Sequence, residues 1–74
     1  MAQLRTFQAV ARLRSFSRAA LELNLTQPAV SAQIATLERT LGARFFDRLG
    51  RRVALTPSGE ALLAATDEIL ARVD

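Results

Sequence analysis

The chain has 74 residues, half of them hydrophobic, with ten Arg and no Lys against seven acids, for a net charge of +3. That length sets one small domain, able to fold alone while burying only roughly 60% of its unfolded surface. The absence of Cys excludes a disulfide framework and a thiolate zinc site, and the absence of His removes the commonest general base, metal ligand and neutral-pH switch.

The first apolar set is Leu4, Phe7, Val10 and Ala11, at helical spacing, with Arg5, Gln8 and Arg12 off that face. It predicts a helix from about Ala2 to Leu13, ending near Arg14 and Ser15. Ser17 is the expected N-cap of a second helix, "RAALELN", its hydroxyl accepting an otherwise orphan amide hydrogen bond. Ala19, Ala20 and Leu23 give that helix a small inner face, across which a neighbour passes closely. Asn24 ends it, because Asn tolerates the left-handed conformation of a helix C-terminus.

A very short connection follows, Asn24-Leu25-Thr26. Thr26 is a second N-cap, and Pro28 falls in the first helical turn, where its missing amide hydrogen costs nothing. This third helix runs to about Leu41 and stops at Gly42. Val30, Ile34, Leu37 and Leu41 form its expected buried stripe, within an arc of roughly 60° at about 100° per residue. The opposite face carries Pro28, Ala32, Ala35 and Arg39, with Ser31 and Thr36 on its flanks.

Beyond Gly42 the pattern changes. "RFFDR" and "RRVAL", separated by Leu49 and Gly50, read as a two-stranded hairpin over about 45–55 with Phe46, Val53 and Leu55 inward. A lone hairpin is marginal, so it must lean on the helices. "LTPSGEALLAATDEILARVD" begins a fourth helix, with Thr56 as cap, Pro57 in first position and Leu62, Leu63, Ile69, Leu70 and Val73 on its apolar side. The longest uncharged apolar run, Ala61 to Ala65, is far short of a membrane span, and the N-terminus lacks a signal-peptide run. A cytoplasmic protein without membrane contact is expected.

Charge divides the chain. Residues 1–56 hold nine Arg against Glu22, Glu38 and Asp47, a net of +6, whereas residues 57–74 hold Arg72 against Glu60, Asp67, Glu68 and Asp74, a net of −3. A basic body with an acidic tail points to a polyanion as the body's partner. Arg suits phosphate and guanine because its planar fork donates two hydrogen bonds at once.

Two helices joined by a short turn, the second well capped, form a helix-turn-helix arrangement, and the following hairpin makes it winged. The expected class is mainly α: a three-helix core, a two-stranded β wing and a C-terminal linker helix. A helix lying in a major groove must bring its N-terminal half within hydrogen-bond reach of base edges. Small residues such as Ala32 and Ala35 permit that approach. Gln27 can read an adenine edge, Pro28 and Ala32 can pack on a thymine methyl, and Ser31 can bond to a base or a phosphate. The helix start at Thr26 favours a phosphate. Arg48, Arg51 and Arg52 give a basic wing tip suited to a minor groove. Asp47 beside Arg48 offers the competing reading, a surface ion pair worth little.

The run "LRTFQAVARLRSFSRAALELNLTQPAVSAQIATLERTLGARFFDR", followed by "RRVALTPSGEALL", resembles the LysR-type transcriptional regulators of bacteria, from Leu4 nearly to the end of the chain. The resemblance implies the winged DNA-binding domain of that family over 1–56. It implies base contacts at Gln27, Pro28 and Ser31, a minor-groove arginine at Arg51, and the start of a linker helix at "LTPSGE". Many relatives carry Arg at the position of Ala32. Arg there reads guanine and Ala does not, so base preference at that pair should differ. Gln33 can take some of that role from the flank, beside Thr36. The segment 57–74 is then the linker and dimerisation helix, with Leu62, Thr66, Ile69 and Val73 as its seam toward a second copy. An effector domain, and any small-molecule effector, would belong to a part of the protein outside this chain.

The expected partner is therefore double-stranded DNA, bound by a homodimer, with no metal and no cofactor. The alternative is a winged-helix interaction module that binds protein and not DNA. An enzyme is not expected: Ser31 or Ser58 as nucleophile would lack a base, and Glu60 and Glu68 are solvated charges on a helix.

Overall fold

A computed structural model of the chain describes residues 2–49 and 52–73, with Leu49 and Val73 in backbone only. The elements follow in order as α1 (Ala2–Leu13), α2 (Phe16–Leu23), α3 (Gln27–Leu41), β1 (Phe46–Leu49), β2 (Arg52–Leu55) and α4 (Pro57–Val73).

Each helix is bounded by local chemistry. The cap of α2 is Ser15, not Ser17: the Ser15 hydroxyl accepts from Arg18 N at 3.1 Å. Phe16 explains the difference, since it must be buried and so begins the helix two residues earlier. Asn24 ends α2 in the left-handed region with φ 56°, and its amide returns to the carbonyls of Ala20 and Leu21. Thr26 caps α3 by accepting from Ala29 N at 3.2 Å, and Gly42 terminates it at φ 65°.

α1, α2 and α3 pack on one another, and α4 lies against α1 and β2. Phe7, Val10, Ala19, Ala20, Val30, Ile34 and Leu37 meet in the shared core. The small inner face of α2 lets it sit between its two neighbours. Leu41 was expected to complete the α3 stripe but is 52% exposed, because the last turn runs past the edge of the core. Both Phe45 and Phe46 are buried, where only Phe46 was expected inward. Their rings stack on the helices: Phe7 meets Phe45 edge-on at 5.7 Å, and Phe16 meets Phe46 edge-on at 5.8 Å. Glu38 prepares this turn by accepting from Phe45 N at 2.8 Å.

β1 and β2 pair antiparallel, with Phe46 opposite Leu55 and Arg48 opposite Val53. The expected turn at Gly50 lies outside the described residues. The hairpin leans on the body through Phe46, as its marginal size requires.

Candidate nucleic-acid interface

α3 is held from behind and open in front. Val30, Ile34 and Leu37 anchor its back in the core. Thr26, Gln27, Pro28 and Ala32 are exposed, while Ser31, Ala35 and Thr36 are half-buried. Gln27 Nε2 donates to Ser31 Oγ at 3.1 Å, one helical turn away. An amide nitrogen carries two hydrogens. The second, with Oε1, keeps the donor-acceptor pair that matches an adenine edge.

Gln33 is half-buried on the flank of that front. Thr6 Oγ1, buried in α1, donates to Gln33 Oε1 at 2.5 Å. From this flank position Gln33 ties α3 to α1 through its Oε1, while its Nε2 remains available. Thr36 stays on the flank and accepts from Arg39 Nη2 at 3.3 Å.

The wing is docked rather than free. The competing reading paired Asp47 with Arg48, but Asp47 pairs with Arg44, at 3.3 Å. Adjacent strand residues point to opposite faces, so Asp47 and Arg48 cannot meet easily. Arg48 instead stands over the Phe16 ring, 4.3 Å from its centroid. This cation–π contact fixes the guanidinium at the junction of wing and α2. Arg52 is exposed on β2. Arg51 lies outside the described residues. A hollow of about 450 Å³ opens between α3 and β1, bordered by Ser31, Ala35, Glu38, Arg44, Phe46 and Arg48. Sequence reasoning did not anticipate Arg44 or Glu38 here, although their spacing around the Gly42 turn brings both to one edge.

On α4 the expected seam divides. Thr66 is fully buried and so serves its own domain, while Leu62 is half-buried against the core. Ile69 is 43% exposed. Gln8 Nε2 donates to Asp67 Oδ1 at 2.7 Å and ties α4 to α1. The Val73 side chain lies outside what the structure describes. The correction has a geometric cause: α1 takes the face of α4 on which Thr66 and Leu70 project. Among the described residues no helix is long and apolar enough to cross a membrane, and no group of three or more acids is placed to hold a metal ion.

A helix pair, a third helix with an open polar front and a docked two-stranded hairpin define a winged helix-turn-helix domain. The profile of the family described as "Bacterial regulatory helix-turn-helix protein, lysR family" matches residues 1–60, and the chain belongs to that family. It is 49% identical over 72 residues to a RuBisCO operon transcriptional regulator of Acidithiobacillus ferrooxidans, covering 97% of this chain and 23% of that protein. It is 56% identical over 70 residues to an uncharacterized HTH-type transcriptional regulator of Azotobacter vinelandii, covering 95% and 49%. The chain thus spans less than half the length of these curated relatives. Among solved structures, the DNA-binding domain of BenM in complex with the catB site 1 DNA matches with TM-score 0.95 and 38% identity, covering 99% of this chain and 82% of that one. The CbnR DNA-binding domain in complex with DNA matches with TM-score 0.92 and 35% identity, covering 97% and 83%. The relatives are named as regulators and not as enzymes.

Proposed function

We propose that this chain is the DNA-reading domain of a bacterial transcriptional regulator. α3, about 27–41, lies in the major groove of double-stranded DNA, and the wing, about 45–55, lies at the minor groove. Gln27, Pro28, Ser31 and Ala32 face the bases. Thr26, Thr36, Arg48, Arg51 and Arg52 face the backbone and the narrower groove. The observation that carries this reading is the asymmetry of α3: its back is buried while Gln27, Pro28 and Ala32 stand open and free of long charged side chains. The BenM and CbnR domains, similar in fold, are bound to DNA in their solved structures, which supports the same partner here.

The domain acts as a homodimer through the free side of α4, where Ile69 projects, and it works on the nucleoid in the cytoplasm. Because the chain spans 23% of the Acidithiobacillus relative, a small-molecule effector would act through a domain outside these residues. The test is binding-site selection from random duplexes, followed by titration of the selected duplex at several salt concentrations. Selection of a defined motif is expected, with log K falling linearly as log salt rises, because phosphate contacts release counterions. A flat salt dependence rejects the proposal.

A further inference from the structure

A second hollow, of about 210 Å³, lies beside the first and is bordered by Arg14, Ser17, Arg48 and Arg52 around the start of α2. Its border contains no acid. None of the three arginines has a carboxylate partner among the described residues, where Arg44 and Arg72 pair with Asp47 and Glu68 instead. Phe16 and Arg48 border both hollows. The surface therefore continues from Ser31 on α3, past the stacked Arg48, to Arg14 and Arg52.

Arg14 is in an unusual place for arginine. It has φ 52°, the left-handed region that glycine or asparagine occupies without strain. Its amide donates to Val10 O at 2.7 Å, closing α1, a bond any residue but proline makes. Backbone geometry thus gives no reason for a long charged side chain at this corner. The start of α2 adds favourable surroundings, since the first amides of a helix have no intrahelical partner. The Ser17 side chain is exposed there, whereas the Ser15 hydroxyl is occupied as the cap.

Resting on the DNA-binding reading, we infer that Arg14 and Arg48 hold one backbone phosphate of bound DNA, beyond the reach of α3, with Arg52 at the rim of the same hollow. A free anion would fit the same charge. The continuity with the α3 front favours a phosphodiester of a strand that leaves the groove over the stacked Arg48.

The test compares the chain with Arg14→Gly, which relieves the left-handed backbone, and with Arg14→Asn, which tolerates it. Arg72→Gln, at the far end of α4, controls for net charge once sedimentation shows its subunit association unchanged. The probe is a mixed-sequence linear duplex, because a phosphate contact is independent of sequence. Both Arg14 variants should keep or raise the melting temperature while their slope of log K against log salt falls by about 0.9. Their deficit in affinity should then shrink about eightfold between 0.1 and 1 M salt. Arg72→Gln should leave the slope unchanged. Equal slopes for the Arg14 variants and the parent overturn the inference while leaving DNA binding intact. An equal loss in Arg72→Gln also overturns it, as an effect of charge alone. If inorganic phosphate raises the melting temperature of the parent but not of Arg14→Gly, with slopes equal, the hollow serves a free anion and the inference fails. If the parent shows no salt-dependent duplex binding, the DNA-binding reading itself falls.

Discussion

Thr66 carries a hydroxyl that is fully buried in the body-facing side of α4 and meets no hydrogen-bond partner among the described residues. A buried donor and acceptor left unmade costs about 1–3 kcal/mol, more than the net worth of most hydrogen bonds. Thr66→Val keeps the shape and removes the unpaired group. It should stabilise the domain by about 1 kcal/mol, which for this length raises the melting temperature by roughly 4–8 °C. Calorimetry checks this, and an unchanged or lowered melting temperature would mean that the hydroxyl does find a partner. In the proposed reading, Gln27 is the residue on which base contact depends most. Its bond to Ser31 holds the amide in place before DNA arrives. Gln27→Ala should cost roughly 1–3 kcal/mol of affinity for the selected duplex and relax one base position. Competition among single-base variants of that duplex is the measurement. A uniform loss across all of them would show that Gln27 touches only the backbone.

At the scale of elements, the joint between wing and α4 is built by contact rather than by pattern. Thr56 N donates to Phe45 O at 3.0 Å, and Thr56 Oγ1 both donates to Arg44 O and accepts from Gly59 N at 3.0 Å. Gly59 is what permits this approach. A Cβ there would overlap the Phe45 carbonyl oxygen and stand 2.9 Å from Leu55 Cδ2. A backbone oxygen held in a turn cannot swing aside, so Gly59→Ala should destabilise by about 1–3 kcal/mol, the range for overpacking. Denaturant unfolding would measure it, and a neutral result would refute the close approach. This joint was not legible in the sequence, where "TPSGE" shows a cap and a proline but no reason for the glycine. The helices themselves were legible, because Thr26, Asn24 and Gly42 carry boundary chemistry and Val30, Ile34 and Leu37 keep one spacing. The Ser15 cap was misread since both nearby serines suit the role and only the burial of Phe16 decides between them. The bond from Thr6 to Gln33 and the stack of Arg48 on Phe16 join residues 27 and 32 positions apart, which no local pattern encodes. The α3 front was legible because an apolar back implies an opposite face.

For the whole molecule, the radius of gyration of 11.4 Å is close to the roughly 11 Å of a compact domain of this length. α4 therefore lies along the body rather than projecting from it. That decides which of its sides a second copy can use. Thr66, Leu62 and Leu70 are turned to the domain, whereas Ile69, Ala65 and Ala61 are exposed and fall within an arc of roughly 80°. Two alanines one turn apart let another helix come close, and Ile69 offers the apolar group to bury. Glu68 borders this strip and Arg72 lies within it at its C-terminal end, and the two are already paired at 3.0 Å, so Arg72 brings no unpaired charge to it. In the dimer proposed above, Ile69→Glu would place a carboxylate where the second copy packs. Sedimentation equilibrium should then show a monomer where the parent chain dimerises. The melting temperature at low concentration should stay nearly constant, because Ile69 contributes little to its own core. Affinity for a palindromic selected duplex should fall toward that for a half-site, since two linked binding events become separate ones. A variant that still dimerises and still binds the palindrome like the parent would place the subunit contact elsewhere than on α4.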